Sequence, residues 1–229
     1  MALLTLEGVS MRYGAQMGGT SGEYCVFEGI DLALNAGERL GLVGRNGCGK
    51  STLLRIMAKI FPPSTGVVSW APKVSVSLLT LGLGFRTDLT GRENALLSCL
   101  FHGLSRSDAK QAISEIADFC ELGDFFDSPV YTYSAGMRAR LGFGSALVNR
   151  SQVILIDETL SVGDAVFRDK ARVALLNELA ADRAVVLVSH NEAQVESLCT
   201  TASLLGEGGL LFSGEPGAVL ATYAAQYKE

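Results

Sequence analysis

Gly44-Arg45-Asn46-Gly47-Cys48-Gly49-Lys50-Ser51 fits the pattern G-x-x-x-x-G-K-[ST]. Its flanks agree with it. The apolar run Arg39-Leu40-Gly41-Leu42-Val43 reads as a strand leading in, and Thr52-Leu53-Leu54-Arg55-Ile56-Met57 as a helix leading out. Glycines let backbone N–H groups close around phosphate oxygens with no Cβ in the way. The start of the helix adds the positive end of its dipole. In such a loop Lys50 reaches the β- and γ-phosphates, and the Ser51 hydroxyl is a ligand of Mg²⁺. The stretch predicts a nucleoside-triphosphate site at a strand–loop–helix junction of an α/β fold.

A second stretch completes the chemistry. Gln152-Val153-Ile154-Leu155-Ile156-Asp157-Glu158 reads as a buried strand ending in two carboxylates. Ligands of open α/β sheets bind beyond the carboxyl ends of the strands. Asp157 is therefore placed to hold Mg²⁺ through water, and Glu158 to polarise an attacking water. His190 follows the apolar strand Ala184 to Val188 and the Ser189 hydroxyl, level with Asp157 and within reach of a γ-phosphate. Tyr133-Ser134-Ala135-Gly136-Met137 opens a further helix, with Ser134 as its cap. Ala135 and Gly136 are small enough for an anion to approach the free N–H groups there. A second phosphate site in a chain with one phosphate loop suggests head-to-tail dimers sharing nucleotides.

Around these stretches, strands are expected at Leu3 to Val9, Ile30 to Leu34, Glu38 to Val43, Gly66 to Trp70 and Val74 to Leu79. Residues 14–23 are rich in glycine and polar groups and read as a loop. From Arg92 to Asn149 the chain reads as mainly helical, with starts at Ser107 and Ser134. Strand and helix then alternate to a last helix from Pro216. The pattern is an α/β core of parallel strands with a helical insertion.

Composition narrows the partners. The 229 residues suffice for one good core, and 48% hydrophobic with 19% charged residues describe an ordered globular chain. Nineteen basic and twenty-four acidic residues leave a net charge of -5, against a nucleic-acid binder. No run of about 18 apolar residues is present, and the start from Met1 to Glu7 lacks the marks of a signal peptide. Five scattered cysteines without a C-x-x-C pair argue against zinc ligation and a disulfide framework. Cys48 reads either as a small residue filling the phosphate-loop turn or as a thiol close to nucleotide. The chain reads as cytosolic.

In this order the pieces resemble the nucleotide-binding domain of ABC transporters, over essentially the whole chain. The resemblance implies a P-loop NTPase fold of ABC type. A mixed-sheet ATPase core with a RecA-like subdomain would span 1–85 and 151–229, with an inserted α-helical subdomain at about 86–150. It implies ATP and Mg²⁺ as cofactors. By motif, Gly44, Arg45, Asn46, Gly47, Cys48, Gly49, Lys50 and Ser51, with Thr52 after them, look like the Walker A loop. Ile154 to Asp157 looks like the Walker B strand, which makes Ser51 and Asp157 the metal ligands. Glu158 resembles the catalytic glutamate and His190 the switch histidine, acting with Lys50. Ser134-Ala135-Gly136 resembles the signature motif, and Ser161-Val162-Gly163-Asp164 the D-loop that crosses to the opposite subunit. Tyr13 resembles the aromatic that stacks on adenine, although Tyr24 and Phe27 also lie near the loop.

Finer details are similar to one branch, the polysaccharide-export ATPases. Tyr133-Ser134-Ala135-Gly136-Met137-Arg138-Ala139-Arg140-Leu141 looks like its Y-S-x-G-M-R-x-R-L signature, and Asp157 to Phe167 like its D-E-x-L-x-V-G-D-x-x-F. Leu81 to Phe85 and Leu89-Thr90-Gly91-Arg92-Glu93-Asn94 resemble its L-G-x-G-F and L-T-G-R-E-N stretches. The branch implies a homodimer bound to an integral-membrane permease at the cytoplasmic face of the inner membrane. It would drive export of O-antigen, capsule or teichoic-acid chains, with the lipid-linked polysaccharide contacted mainly through the permease. Two positions depart from the wider family: no glutamine stands near Leu81, and Met137 replaces the signature glutamine. The segment from Leu81 to about His102 should face the permease. The end at Glu229 leaves no length for the C-terminal carbohydrate-binding domain of some relatives. Rival readings are a transporter ATPase for another solute, a soluble ABC-type ATPase acting on DNA or ribosomes, and a non-catalytic nucleotide sensor.

Overall fold

A computed structural model describes residues 2–17, 20–79, 85–101, 103–147, 151–157, 165–179, 183–189 and 191–227. The chain divides into two compact units. One comprises residues 1–76, 152–158 and 182–229; the other comprises 77–151 and 159–181.

The first unit holds two sheets. Strands β1 (Ala2–Met17) and β2 (Thr20–Asn35) form an antiparallel hairpin, and β4 (Thr65–Trp70) joins the free side of β1. Leu4, Leu6, Ile30 and Leu34 are buried, while Glu7 on the other face is exposed, which is the alternation the sequence shows. Residues 14–17 and 20–23 depart from the expected loop, while 18 and 19 lie outside the described residues. The ladder continues through Gly14↔Glu23 and Gln16↔Ser21 to Met17↔Thr20. Strand pairing needs backbone groups rather than apolar alternation.

Behind the hairpin in sequence comes the parallel sheet. Strands β3 (Arg39–Val43), β6 (Val153–Asp157), β7 (Ala184–Val188) and β8 (Thr201–Gly206) lie in the order β6-β7-β3-β8. The last strand, β9 (Gly209–Gly214), runs antiparallel to β8, so the sheet is mixed. The short β5 (Val76–Leu79) begins at the end of the first segment. All of β7 is buried, as is β6 up to Asp157, which is why both read as unbroken apolar runs. Helices α1 (Lys50–Met57), α6 (Glu192–Leu198) and α7 (Pro216–Tyr227) belong to this unit. Val43, Val195, Ala202, Leu204, Val219 and Leu220 form one cluster joining β3, β8, α6 and α7.

The second unit is helical: α2 (Gly91–Phe101), α3 (Arg106–Cys120), α4 (Ala135–Leu147) and α5 (Ala165–Leu179). Phe119, Phe143 and Phe167 meet with ring centroids 5.7–6.2 Å apart, which joins α3, α4 and α5. Helix α3 is capped by Ser105 rather than started at Ser107. The Ser105 Oγ accepts the Asp108 N–H at 3.2 Å, and the Asp108 amide stands three residues on, where a capping hydroxyl reaches.

The L-T-G-R-E-N stretch builds the root of this unit. Thr90 and Glu93 cap α2 reciprocally, at 2.8 Å and 3.1 Å. Gly91 leaves room for the Tyr133 hydroxyl, which donates to the Phe125 carbonyl at 2.6 Å. Arg92 makes a two-point contact with Asp127 at 2.6 Å and 3.0 Å. Buried Asn94 donates to the carbonyls of Arg86, Leu89 and Thr90 and accepts the Arg86 N–H at 2.8 Å. Among the described residues, no helix is long and apolar enough to cross a membrane.

Candidate functional site

The phosphate loop leaves the carboxyl end of β3 at Val43 and turns into α1 at Lys50. Gly49 caps α1 in the left-handed region, at φ 102°. A Cβ there would stand 2.6 Å from Val26 Cγ1 and 2.8 Å from Phe27 Cδ1, so both backbone angle and space call for glycine. Gly44 in turn leaves space for the Leu205 carbonyl and the Cys48 thiol.

Lys50 is buried, with 7% of its surface exposed. Its ammonium donates to the carbonyls of Gly44 and Arg45, both at 2.7 Å, and stands 3.9 Å from Cys48 Sγ. The charge is thus satisfied by backbone oxygens of its own loop, as a buried ammonium requires. Burial pushes the Cys48 thiol up from its ordinary value, against the pull of Lys50. Its burial agrees with the reading of Cys48 as a small residue filling the turn.

Asp157 ends β6, two strands from β3 in the sheet. The Ser51 hydroxyl donates to Asp157 Oδ1 at 3.0 Å, so the two oxygens expected to serve a cation stand side by side. Hard oxygen donors in this number suit Mg²⁺, which keeps several waters and substrate oxygens among its ligands.

A cleft of about 400 Å³ opens here, lined by Tyr13, Tyr24, Val26, Asn46, Gly47, Gly49, Lys50, Ser51, Thr52 and Val188. Tyr13 and Tyr24 face each other across the β1–β2 ladder and therefore share one face of it. Phe27 is fully buried beside Gly49 and offers no free ring to a base. A neighbouring cleft is lined by Arg45, Cys48, Glu207 and Tyr227 among others, and shares Tyr24, Val26, Asn46 and Gly47 with the first. The end of α7 had no local signal as part of the site.

Ser134, Ala135 and Gly136 lie in the helical unit. Ser134 is exposed and caps α4, its Oγ accepting the Met137 N–H at 3.2 Å. Arg138 donates to the Tyr133 carbonyl at 2.7 Å, so the residues around the helix start are held from both sides. Leu81, Glu158, Ser161, Asp164 and His190 lie outside the described residues.

The cleft joins a glycine-lined loop, a buried ammonium, two tyrosines and the Ser51 hydroxyl, which bonds in turn to the Asp157 carboxylate. Comparison with known proteins agrees with it. The ABC transporter family model matches residues 27–161. The chain is 40% identical over 207 residues to the O-antigen export system ATP-binding protein RfbE of Yersinia enterocolitica, covering 89% of this chain and 86% of that one. It is 38% identical over 202 residues to the teichoic acids export ATP-binding protein TagH of Enterococcus faecalis, covering 88% of this chain and 45% of TagH. It thus spans most of RfbE and less than half of TagH. The fold is similar to a solved ATP binding subunit of an ABC transporter, with a TM-score of 0.82 and 20% identity over 99% of this chain and 95% of that one.

Proposed function

This chain belongs to the ABC transporter family, and on that premise we propose that it is the ATP-hydrolysing subunit of an exporter for a lipid-linked polysaccharide. The observation that carries the chemistry is the Ser51–Asp157 contact beside buried Lys50. The cargo reading rests on likeness to O-antigen and teichoic-acid export proteins.

In this reading the backbone N–H groups from Gly47 to Ser51 cradle the phosphates and Lys50 neutralises their charge. Tyr13, with Tyr24 opposite it, offers the base a ring to stack on. Mg²⁺ would be held by Ser51 directly and by Asp157 through water, supplying charge neutralisation at the phosphates. Glu158, next after Asp157 in the chain, accepts the proton of the attacking water, and His190 contacts the γ-phosphate. Two copies pair head to tail, so that Ser134, Ala135 and Gly136 of one close on the nucleotide held by Lys50 of the other. Asp164 reaches the opposite subunit in the same state. The pair docks on an integral-membrane permease at the cytoplasmic face of the membrane. The polysaccharide is contacted mainly through that permease.

The test is affinity purification from detergent-solubilised membranes of the source organism, using the Glu158→Gln chain with ATP and Mg²⁺. Recovery of a multi-spanning protein encoded beside envelope-glycan genes is expected. Recovery of ribosomal or nucleic-acid-binding partners alone would contradict the exporter reading.

A further inference from the structure

We propose that Tyr227 is a positioning residue for the phosphate loop, acting through Arg45; this rests on the reading of that loop as the ATP site. The Arg45 guanidinium carbon lies 5.7 Å from the centroid of the Tyr227 ring, a cation–π contact between the loop and the last residue of α7.

The ring is itself held. Tyr223, one helical turn earlier, lies 5.4 Å away centroid to centroid. Both tyrosines pack against the cluster that contains Val43, the residue from which the loop departs. The ring that grips Arg45 thus shares a foundation with the root of the loop.

Arg45 has a second attachment. Its carbonyl accepts the Lys50 ammonium at 2.7 Å. One residue therefore ties the phosphate-binding lysine through its backbone and α7 through its side chain. Gly44, Gly47 and Gly49 give the loop no side chains, which leaves Arg45 among its few possible anchors. Glu207 lines the same cleft as Arg45, so a guanidinium released from the ring has a carboxylate competing for it. Holding Arg45 against Tyr227 keeps its backbone carbonyl where Lys50 needs it, before nucleotide arrives.

The experiment is titration of a fluorescent ATP analogue with Mg²⁺ into the full chain. Tyr227→Leu keeps the apolar packing of α7 and removes the ring face; Tyr227→Phe keeps the face. Tyr227→Leu is expected to weaken binding about two- to fivefold, the range of one exposed cation–π contact. Tyr227→Phe is expected to recover the affinity. Arg45→Gln, a change at an exposed position, is expected to show a loss of the same size. In the double variant Tyr227→Leu is expected to add nothing to Arg45→Gln.

Parental affinity in Tyr227→Leu or in Arg45→Gln would overturn the proposal. A Tyr227→Leu loss that persists in full beside Arg45→Gln would also overturn it, because the ring would then act through packing alone. Should Tyr227→Leu fail to fold by circular dichroism, Arg45→Gln and Tyr227→Phe carry the test between them. Failure of the parental chain to bind the analogue would overturn the ATP reading as well.

Discussion

The Ser51 hydroxyl donates a 3.0 Å hydrogen bond to Asp157 Oδ1, joining the first turn of α1 to the end of β6. The two residues stand far apart in the chain, and the parallel sheet brings them together. Ser51→Ala removes one oxygen of the pair and leaves Asp157 alone. The Mg²⁺ concentration that half-saturates ATP hydrolysis is expected to rise at least about tenfold. Nucleotide binding measured in EDTA should change far less, and that contrast separates metal binding from general damage to the loop.

Lys50→Ala removes the ammonium that bonds to Gly44 and Arg45, leaving both carbonyls without that donor. It also removes the charge expected to meet the phosphates. ATP hydrolysis should fall by about 10²–10³, the cost of losing one preorganised charge-stabilising donor. A steady-state ATPase assay decides it, with circular dichroism to show that the fold is retained.

Gly49→Ala asks a Cβ to stand 2.6 Å from Val26 Cγ1 at a left-handed φ of 102°. Neither neighbour is the free end of a flexible chain. Overpacking and backbone strain together should cost about 1–3 kcal/mol, read as a lower urea midpoint. Nucleotide affinity should fall in parallel, because α1 and the loop share this residue.

Asn94→Ala leaves three carbonyls without the donor they share and the Arg86 N–H without its acceptor. At a buried position this should cost about 1–3 kcal/mol in chemical denaturation. Asn94→Asp restores only the acceptor, so it should not rescue the loss.

Arg92 holds the Asp127 carboxyl below the usual aspartate value, first through its hydrogen bonds and then through its charge. Between the two values the unfolded chain binds more protons than the folded one, so stability rises with pH across that window. The contribution is complete above the unfolded value of about 3.9 and is lost as pH falls through the lower folded value. Denaturation midpoints at pH 3 and pH 6 should therefore differ less in Arg92→Gln than in the parent. Both side chains are largely exposed, so the difference should be small and should shrink further in salt.

Much of the fold was legible because its signals are local. The phosphate loop with its flanks, the apolar runs of β6 and β7, and the cap at Ser134 each sit within a few residues of sequence. Residues 14–17 and 20–23 misled for a local reason too: a strand rich in glycine and polar residues carries little apolar alternation. The start of α3 slipped by two residues because Ser105 and Ser107 are both plausible caps, and only the Asp108 contact separates them. The L-T-G-R-E-N stretch was visible as a pattern, but its physical reason was not. Arg92 finds Asp127 thirty-five residues on, and Gly91 makes way for Tyr133. The Arg45–Tyr227 contact joins the loop to the far end of the described chain, and no periodicity reports such a pairing.

The most direct test of the account is the mass of the Glu158→Gln chain by light scattering, with and without ATP and Mg²⁺. Slowed hydrolysis should trap the two-copy state, so the mass is expected to rise from 24.2 kDa to twice that value on adding ATP, and not on adding ADP. A chain that binds ATP yet stays at the single-copy mass, or that hydrolyses ATP at the parental rate, would contradict it.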